Sequence, residues 1–228
     1  MLRERIDKVE ERIQSAARRA GRSRAEITLV AVTKKFPPEI IREAYSLGLR
    51  VFGENYVQEF QGKHPALADL ADAEFHLIGH LQSNKARVAA DLFQVIETID
   101  SGKLAQRVDS MLAGRRPELM IDVMIEVKLS PEQSKAGAAP EELSGLIEAI
   151  HACPNLRLIG LMTMPPWNPD PESARPYFKR LATLAREHGL EKLSMGMSHD
   201  LETAIEEGAT HVRVGEALFG ARPKPQAQ

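Results

Sequence analysis

The sequence is poor in the features that mark exported, membrane-spanning and nucleic-acid-binding proteins. It contains one cysteine, Cys153, so it can form no internal disulfide. No apolar run approaches the length that crosses a bilayer. Its 30 basic and 32 acidic side chains nearly cancel, which favours neither polyanionic nucleic acid nor an acidic membrane surface. We therefore expect a cytoplasmic protein that binds a small molecule, with no nucleic-acid or membrane partner.

The amino terminus lacks the uninterrupted apolar centre of a signal peptide. Apolar residues recur there at helical spacing with charged residues between them, at Leu2, Ile6, Val9, Ile13, Ala16 and Ala20. This pattern predicts an amino-terminal helix rather than an export signal. A length of 228 residues suits one large domain, and the only low-complexity segment is the tail 223–228. We therefore treat 1–228 as a single domain.

Short apolar runs rich in β-branched residues alternate with segments of helical periodicity. The predicted strands are Ile27–Thr33, Arg50–Glu54, Glu74–Gly79, Val95–Ile99, Ile121–Lys128, Leu156–Thr163, Lys192–Met197 and His211–Gly215. Helix-start signals separate most of them, at Pro37, Ser83, Ser101, Pro140, Pro171 and Ser198, and 55–70 has a mainly helical pattern. Eight strands, each followed by a crossover, predict an α/β fold, a (β/α)8 TIM barrel with an extra amino-terminal helix.

An open doubly wound sheet is the structural alternative. It would need nucleotide-binding glycines after the first strand, and the segment Thr33-Lys34-Lys35-Phe36-Pro37 contains none.

In such a barrel, functional side chains follow the carboxyl ends of the strands. Lys34 ends the first predicted strand, where its stem can pack while its amine enters a pocket. A partly desolvated amine is a usable nucleophile and can condense with an aldehyde. Lys35 competes with it, because successive strand residues face opposite sides. Parity with the branched residues favours Lys34 only slightly, and a solvated lysine is the ordinary alternative.

The last two strand ends resemble a phosphate site. Ser198 precedes a predicted helix and Gly215 opens a turn into Glu216, so a hydroxyl and exposed amides could meet a dianion. An ordinary helix cap and an ordinary turn remain the alternatives. Arg213 lies two residues before Gly215 and faces the same side of the strand. It could instead form an internal salt bridge with a carboxylate, such as Glu54 or Glu126.

Other strand ends carry an asparagine, histidines and methionines. Asn55 follows the second strand and could cap the next helix. His76 and His80 lie four residues apart without an adjacent carboxylate to complete a metal site, so we predict no metal. One histidine is expected to pack and the other to form a hydrogen bond at the rim. The methionines near the strand ends, Met162 among them, would pack beside a flat ligand or in the core.

Ordered motifs give the chain a wider resemblance: Val30-Ala31-Val32-Thr33-Lys34, Phe52-Gly53-Glu54-Asn55, His76-Leu77-Ile78-Gly79-His80, Gly160-Leu161-Met162-Thr163-Met164, Met195-Gly196-Met197-Ser198 and Val212-Arg213-Val214-Gly215. With these motifs the chain resembles the pyridoxal phosphate homeostasis protein family over its whole length. The resemblance implies a fold-type III barrel, similar to the amino-terminal domain of bacterial alanine racemase, that carries pyridoxal 5'-phosphate (PLP) as a Schiff base.

The resemblance also implies roles for individual residues. Lys34 would hold PLP covalently, Ser198 and the amides of Gly215 and Glu216 would bind its phosphate, and Arg213 would contact the pyridine nitrogen. Many relatives have threonine where this chain has Glu216, which places a carboxylate near the phosphate. Asn55, His80 and Met162 complete the predicted set of cofactor contacts.

The resemblance implies a PLP carrier or buffer that delivers the cofactor to apoenzymes, acts as a monomer and has no assigned catalytic residue. An arginine at the pyridine nitrogen leaves the ring unprotonated and a poor electron sink, which disfavours carbanion chemistry. The alternatives are a weak racemase that uses Lys34 and His80, and a cofactor-free Schiff-base aldolase. Three further lysines could offer a second attachment point or be solvated surface charges: Lys35, Lys63 and Lys85.

Overall fold

The computed structural model describes residues 1–113, 120–130 and 136–221, so the tail 223–228 lies outside the described residues. Within those ranges, eight parallel strands form a closed barrel in chain order. The strands are β1 Thr28–Val32, β2 Val51–Glu54, β3 Glu74–Leu77, β4 Val95–Ile99, β5 Ile121–Glu126, β6 Leu156–Met162, β7 Lys192–Met197 and β8 His211–Val214. Pairing of β1 with β8 closes the barrel, with Thr28 opposite His211. The predicted TIM barrel is confirmed.

Helices cover the outside of the barrel. They are α1 Leu2–Arg19, α2 Pro38–Ser46, α3 Val57–Lys63, α4 Ala86–Leu92, α5 Gly102–Ala113, α6 Leu143–His151, α7 Arg175–Glu187, α8 Leu201–Glu206 and α9 Glu216–Phe219. Short 3-10 turns precede several of them, and the predicted amino-terminal helix α1 is present. Among the described residues, no helix is both long and apolar enough to cross a membrane.

Two predicted strands end two residues earlier than the sequence pattern suggested. β3 ends at Leu77 rather than Gly79, and the Gly79 carbonyl accepts a hydrogen bond from the Thr98 hydroxyl at 2.8 Å. β5 ends at Glu126 rather than Lys128, because the chain there turns to pair with Ala138. The apolar run alone could not reveal these endings, since both depend on residues distant in sequence.

The two faces of β1 have different surroundings. Leu29 and Ala31 belong to the continuous hydrophobic core between the barrel and the helices, where each large side chain contributes about 1.5–3 kcal/mol. Val32, on the other face, lines a cavity at the carboxyl end of the barrel. Polar side chains are also buried along the strands, including His76, Glu97, Ser194 and Arg213. The barrel therefore has an apolar outer core and a polar interior.

Helix α1 covers the outside of the barrel near the junction of its first and last strands. Its buried face, which includes Ile6, Val9 and Ile13, packs against α8 and α9. Arg12 forms an ion pair with Glu202 at 2.6 Å and donates a hydrogen bond to the Ser198 carbonyl at 3.0 Å. The amino-terminal helix thus holds the loop that follows β7.

Candidate functional site

A cavity of about 1100 Å³ opens at the carboxyl ends of the strands. The cavity is lined by residues that follow β1, β2, β3, β5, β6, β7 and β8. The carboxyl ends of these strands therefore meet at one opening, as expected for a barrel. Of the predicted contacts, the structure brings together seven in this lining: Lys34, Asn55, His80, Ser198, Arg213, Gly215 and Glu216. Met162 is not among them. It is buried at 1% exposure, whereas Met164 reaches the cavity.

The two lysines after β1 have different surroundings. Lys34 is half-buried and lines the cavity, whereas Lys35 is exposed. Lys35 adopts a φ of 64°, and its backbone amide donates a hydrogen bond to Glu59 at 2.5 Å. The left-handed backbone conformation of Lys35 completes a turn in which the Phe36 amide donates a hydrogen bond to the Thr33 carbonyl. The turn directs Lys34, rather than its neighbour, to the cavity.

A buried ion pair supports this turn from below. Lys63 of α3 lies 2.9 Å from Glu54 and 2.6 Å from Glu59, and it donates to the Thr33 carbonyl at 3.0 Å. The Thr33 hydroxyl donates to the same Glu54 oxygen at 2.7 Å. Burial raises the pKa of Glu54 despite the opposing effect of the Lys63 ammonium. Lys63 is therefore not a solvated surface charge but the buried partner of Glu54 next to the Lys34 turn.

Asn55 does not cap the helix after β2, so that interpretation of the sequence is wrong. Helix α3 begins after Tyr56 and has no side-chain cap. Among the described residues, Asn55 Oδ1 is the buried side-chain polar atom without a hydrogen-bond partner. A Cβ atom on Gly79 would lie 2.2 Å from the Asn55 carbonyl oxygen, so only glycine allows the loop after β3 to approach this closely. The amide of Asn55 is thus held at the cavity with polar capacity that a ligand can satisfy.

The predicted phosphate end is assembled from two loops. Ser198 is not the cap of α8, since that position is Asp200. Its hydroxyl instead accepts a hydrogen bond from the Ala217 amide at 3.2 Å and joins the β7 loop to the start of α9. Gly215 precedes α9 and lies close to Val32, whose Cβ would be 3.3 Å from a Cβ at that position. The Glu216 side chain is exposed at the cavity edge.

Arg213 is 4% exposed and reaches the cavity from β8. It donates to the Ser194 hydroxyl at 2.6 Å and to the Thr163 carbonyl at 2.9 Å. Burial lowers the pKa of its guanidinium, while nearby carboxylates oppose that effect. The direct salt bridge with Glu54 or Glu126 that the sequence left open is absent among the described residues. Its guanidinium keeps further N–H donors beyond these two bonds.

One of the two predicted histidines is buried and the other lies at the rim, but the buried one is hydrogen-bonded on both ring nitrogens rather than simply packed. His80 is at the rim, with its side chain 53% exposed and its Nδ1 atom 3.5 Å from Asp100. His76 is buried between two carboxylates, Glu74 and Glu97, each at 2.6 Å. The expectation that His76 has no adjacent carboxylate is therefore wrong: Glu74 precedes it by two residues on the same strand, and Glu97 comes from a different strand. Among the described residues, no group of three or more histidine, cysteine or acidic side chains could hold a metal ion.

Comparison with known proteins agrees with this architecture. The family model of the alanine racemase N-terminal domain matches residues 5–223. A pyridoxal phosphate homeostasis protein of Aquifex aeolicus is 46% identical over 225 residues, covering 96% of this chain and 97% of that protein. The chain belongs to the pyridoxal phosphate homeostasis protein family. The family's protein from Pseudomonas aeruginosa is 48% identical over 223 residues, covering 97% of this chain and 96% of that protein.

A solved structure of a third relative extends the comparison to the fold. The PipY protein of Synechococcus elongatus, solved with PLP bound, is 35% identical and superimposes with a TM-score of 0.85. The alignment covers 96% of this chain and 100% of that one. Family membership and the barrel fold are therefore shown by both sequence and structure.

Proposed function

We propose that the chain binds PLP in the cavity, covalently as a Schiff base on Lys34, and acts as an intracellular PLP carrier or buffer. The observation that carries this proposal is the position of Lys34, whose half-buried amine shares one cavity with Asn55, Ser198 and Arg213. Condensation joins the amine nitrogen to the aldehyde carbon and releases one water molecule. Hydrolysis reverses it, so the bond suits storage and release.

The residues of the cavity fit the parts of PLP. The unpaired polar capacity of Asn55 suits a ring substituent, since its amide can accept or, when flipped, donate a hydrogen bond. Ser198 and the backbone at Gly215 offer polar groups for the phosphate, and the remaining donors of Arg213 suit the pyridine nitrogen. PLP supplies a reactive aldehyde when bound. The chain's part is to hold, orient and shield it.

Attachment can be tested by borohydride reduction of PLP-loaded protein followed by peptide mass spectrometry. We expect the adduct on Lys34 and its loss in Lys34→Ala. Lys35→Ala is the matched control, because the adjacent lysine is exposed and outside the cavity. An undiminished adduct in Lys34→Ala, or its loss in Lys35→Ala alone, would refute the assignment.

Delivery to apoenzymes is tested separately. Loaded protein is mixed with a PLP-dependent apoenzyme in the presence of a phosphatase that destroys free PLP. Reactivation that survives the phosphatase supports direct transfer through transient contact. Reactivation abolished by the phosphatase restricts the role to buffering of free PLP. Sedimentation of the loaded protein checks the expected monomer.

A weak amino-acid racemase is the second candidate, and His80 is the observation that favours it. This histidine lies at the cavity rim beside Asp100 and could act opposite Lys34 as an acid or base. The test is exchange of the α-proton of amino acids in heavy water, with free PLP as the reference. Exchange no faster than free PLP supports holding and delivery. Faster exchange that requires both Lys34 and His80 would establish an enzyme.

A further inference from the structure

A chain of hydrogen bonds crosses the barrel interior beneath the cavity. It begins at Glu74, whose side chain is 48% exposed at the start of β3, and passes to His76 at 2.6 Å. His76 Nδ1 lies 2.6 Å from Glu97 Oε1 on β4. The Ser194 hydroxyl on β7 donates to the second Glu97 oxygen at 2.5 Å and accepts from Arg213 at 2.6 Å. Glu97 and Ser194 are both fully buried, at 0% exposure.

The chemistry of the groups fixes every proton in this chain. Hydrogen bonds to His76 lower the pKa of Glu74 and, despite burial, lower that of Glu97 to about 2. Both groups are therefore ionised and only accept hydrogen bonds, so both ring nitrogens of His76 carry protons. Ser194 has one hydroxyl proton and gives it to Glu97, and it therefore accepts from Arg213. The hydrogen bonds of Glu74 and Glu97 overcome the effect of burial and raise the pKa of His76 to about 9, which agrees with a charged imidazole.

Charges alternate along the chain. Glu74 and Glu97 are negative, whereas His76 and Arg213 are positive, so the buried cation beneath the cavity is balanced without a carboxylate touching it. Ser194 separates Arg213 from Glu97, and the Thr163 carbonyl receives a second guanidinium N–H at 2.9 Å. These two contacts restrict the rotation of the guanidinium plane. Other N–H donors of the guanidinium remain, and Arg213 lines the cavity.

We infer that Glu97 and Ser194 are positioning residues for the ligand site. Ser194, on the strand next to Arg213, orients the guanidinium, and Glu97 holds the Ser194 hydroxyl and balances the charge of Arg213 from the opposite wall of the barrel. This inference rests on the proposed function, because Arg213 is expected to meet the pyridine nitrogen of PLP. The charged form of Arg213 keeps that nitrogen unprotonated. Glu97 therefore influences the bound cofactor without touching it.

Glu97→Gln tests the inference because it keeps the size of the side chain and removes its charge. We expect PLP to bind about tenfold more weakly, comparable to one hydrogen bond to a charged group. We also expect the pH midpoint of the bound cofactor's absorbance titration to fall by about half a pKa unit. Loss of the negative charge of Glu97 lowers this midpoint, and the release of the His76 proton that follows offsets only part of that effect. The other titratable groups facing Glu97 and Arg213 are unchanged: Glu126, Asp200 and His211.

Asp109→Asn is the control for general destabilisation. Asp109 accepts hydrogen bonds from the Asn155 amide and side chain, outside the cavity lining. It should change neither the PLP dissociation constant nor the absorbance midpoint. In an Arg213→Met background, Glu97→Gln should weaken binding by less than about twofold, because a residue that acts through Arg213 has nothing left to position.

The outcomes separate the inference from the proposed function. Failure of the unaltered protein to bind PLP would remove the proposed function. Normal binding by the unaltered protein together with an unchanged dissociation constant and midpoint in Glu97→Gln would overturn the inference alone. Equal effects of Glu97→Gln with and without Arg213 would also overturn it. If Glu97→Gln does not fold, Ser194→Ala keeps both charges, and undiminished PLP affinity in that variant overturns the inference.

Discussion

Lys63→Met should destabilise the protein strongly and in a pH-dependent manner. The substitution removes the ammonium from a pair in which the Glu54 side chain is 0% exposed and that of Lys63 is 8% exposed. An uncompensated buried carboxylate either remains charged, which costs about 3–5 kcal/mol, or takes up a proton. Proton uptake limits the loss to about 1.4 kcal/mol for each pH unit above the carboxyl's ordinary pKa, or about 3 kcal/mol at pH 7.

The sign follows from proton binding. In Lys63→Met the pKa of Glu54 is higher in the folded protein than in the unfolded chain, because burial is no longer opposed by the Lys63 ammonium. The folded state therefore binds more protons. Stability is then highest below the ordinary carboxyl pKa and declines as the pH rises toward the folded pKa. The variant should therefore be nearly as stable as the parent at pH 4.5 and weaker by about 3 kcal/mol at pH 7, equivalent to a melting temperature lower by roughly 6–12 °C.

Urea unfolding followed by circular dichroism at both pH values provides the assay. The single tryptophan, Trp167, is 76% exposed and is a poor reporter of the core. The double variant Lys63→Met/Glu54→Gln should recover most of the loss, whereas the exposed control Lys35→Met should change stability by less than about 0.5 kcal/mol. A loss that is the same at both pH values, or that the second substitution does not relieve, would refute the reasoning.

Three further predictions concern the interior and the two ends of the cavity. Gly79→Ala should lose about 1–3 kcal/mol in urea unfolding and weaken PLP binding, because its Cβ meets the Asn55 carbonyl at 2.2 Å; Gly62→Ala, with open space around its Cβ, should be no less stable. His76 has a raised pKa of about 9, so the parent's unfolding free energy should fall by up to about 3 kcal/mol between pH 6.5 and 9, and an equal fall in His76→Gln would contradict this. Glu216→Thr should tighten PLP binding roughly threefold or more in equilibrium dialysis, because it removes a carboxylate from the phosphate end, and weaker binding would place the phosphate elsewhere.

The sequence allowed the barrel and most of its rim to be predicted because both depend on local periodicity. Apolar alternation located every strand to within about two residues. Lys34 and Lys35 could not be separated with the same certainty, since their directions depend on a left-handed residue whose amide is held by Glu59. Asn55 is a residue type that often caps helices, but the helix begins after Tyr56 and Asn55 does not cap it.

The polar interior could not be predicted because its partners come from different strands. From the sequence Lys63 has the ordinary interpretation of a solvated lysine. In the fold it contacts Glu54, nine residues earlier, and the Thr33 carbonyl, 30 residues earlier. Glu97 carried no sequence signal at all, since a glutamate inside an apolar run acquires its meaning only when β4 faces β7. Such contacts are set by barrel closure, which no window of local sequence contains.

The meeting of the first and last strands of the barrel at the cavity has a consequence for folding. Lys34 follows the first strand and Gly215 follows the last, and Arg12 holds the Ser198 carbonyl across 186 residues of sequence. Contacts of this separation carry a high loop-closure entropy and form late. During synthesis, most of the barrel can therefore emerge from the ribosome before the ligand site exists. A ligand that needs both strands recognises only the closed chain, and its binding free energy is added to the final step of folding.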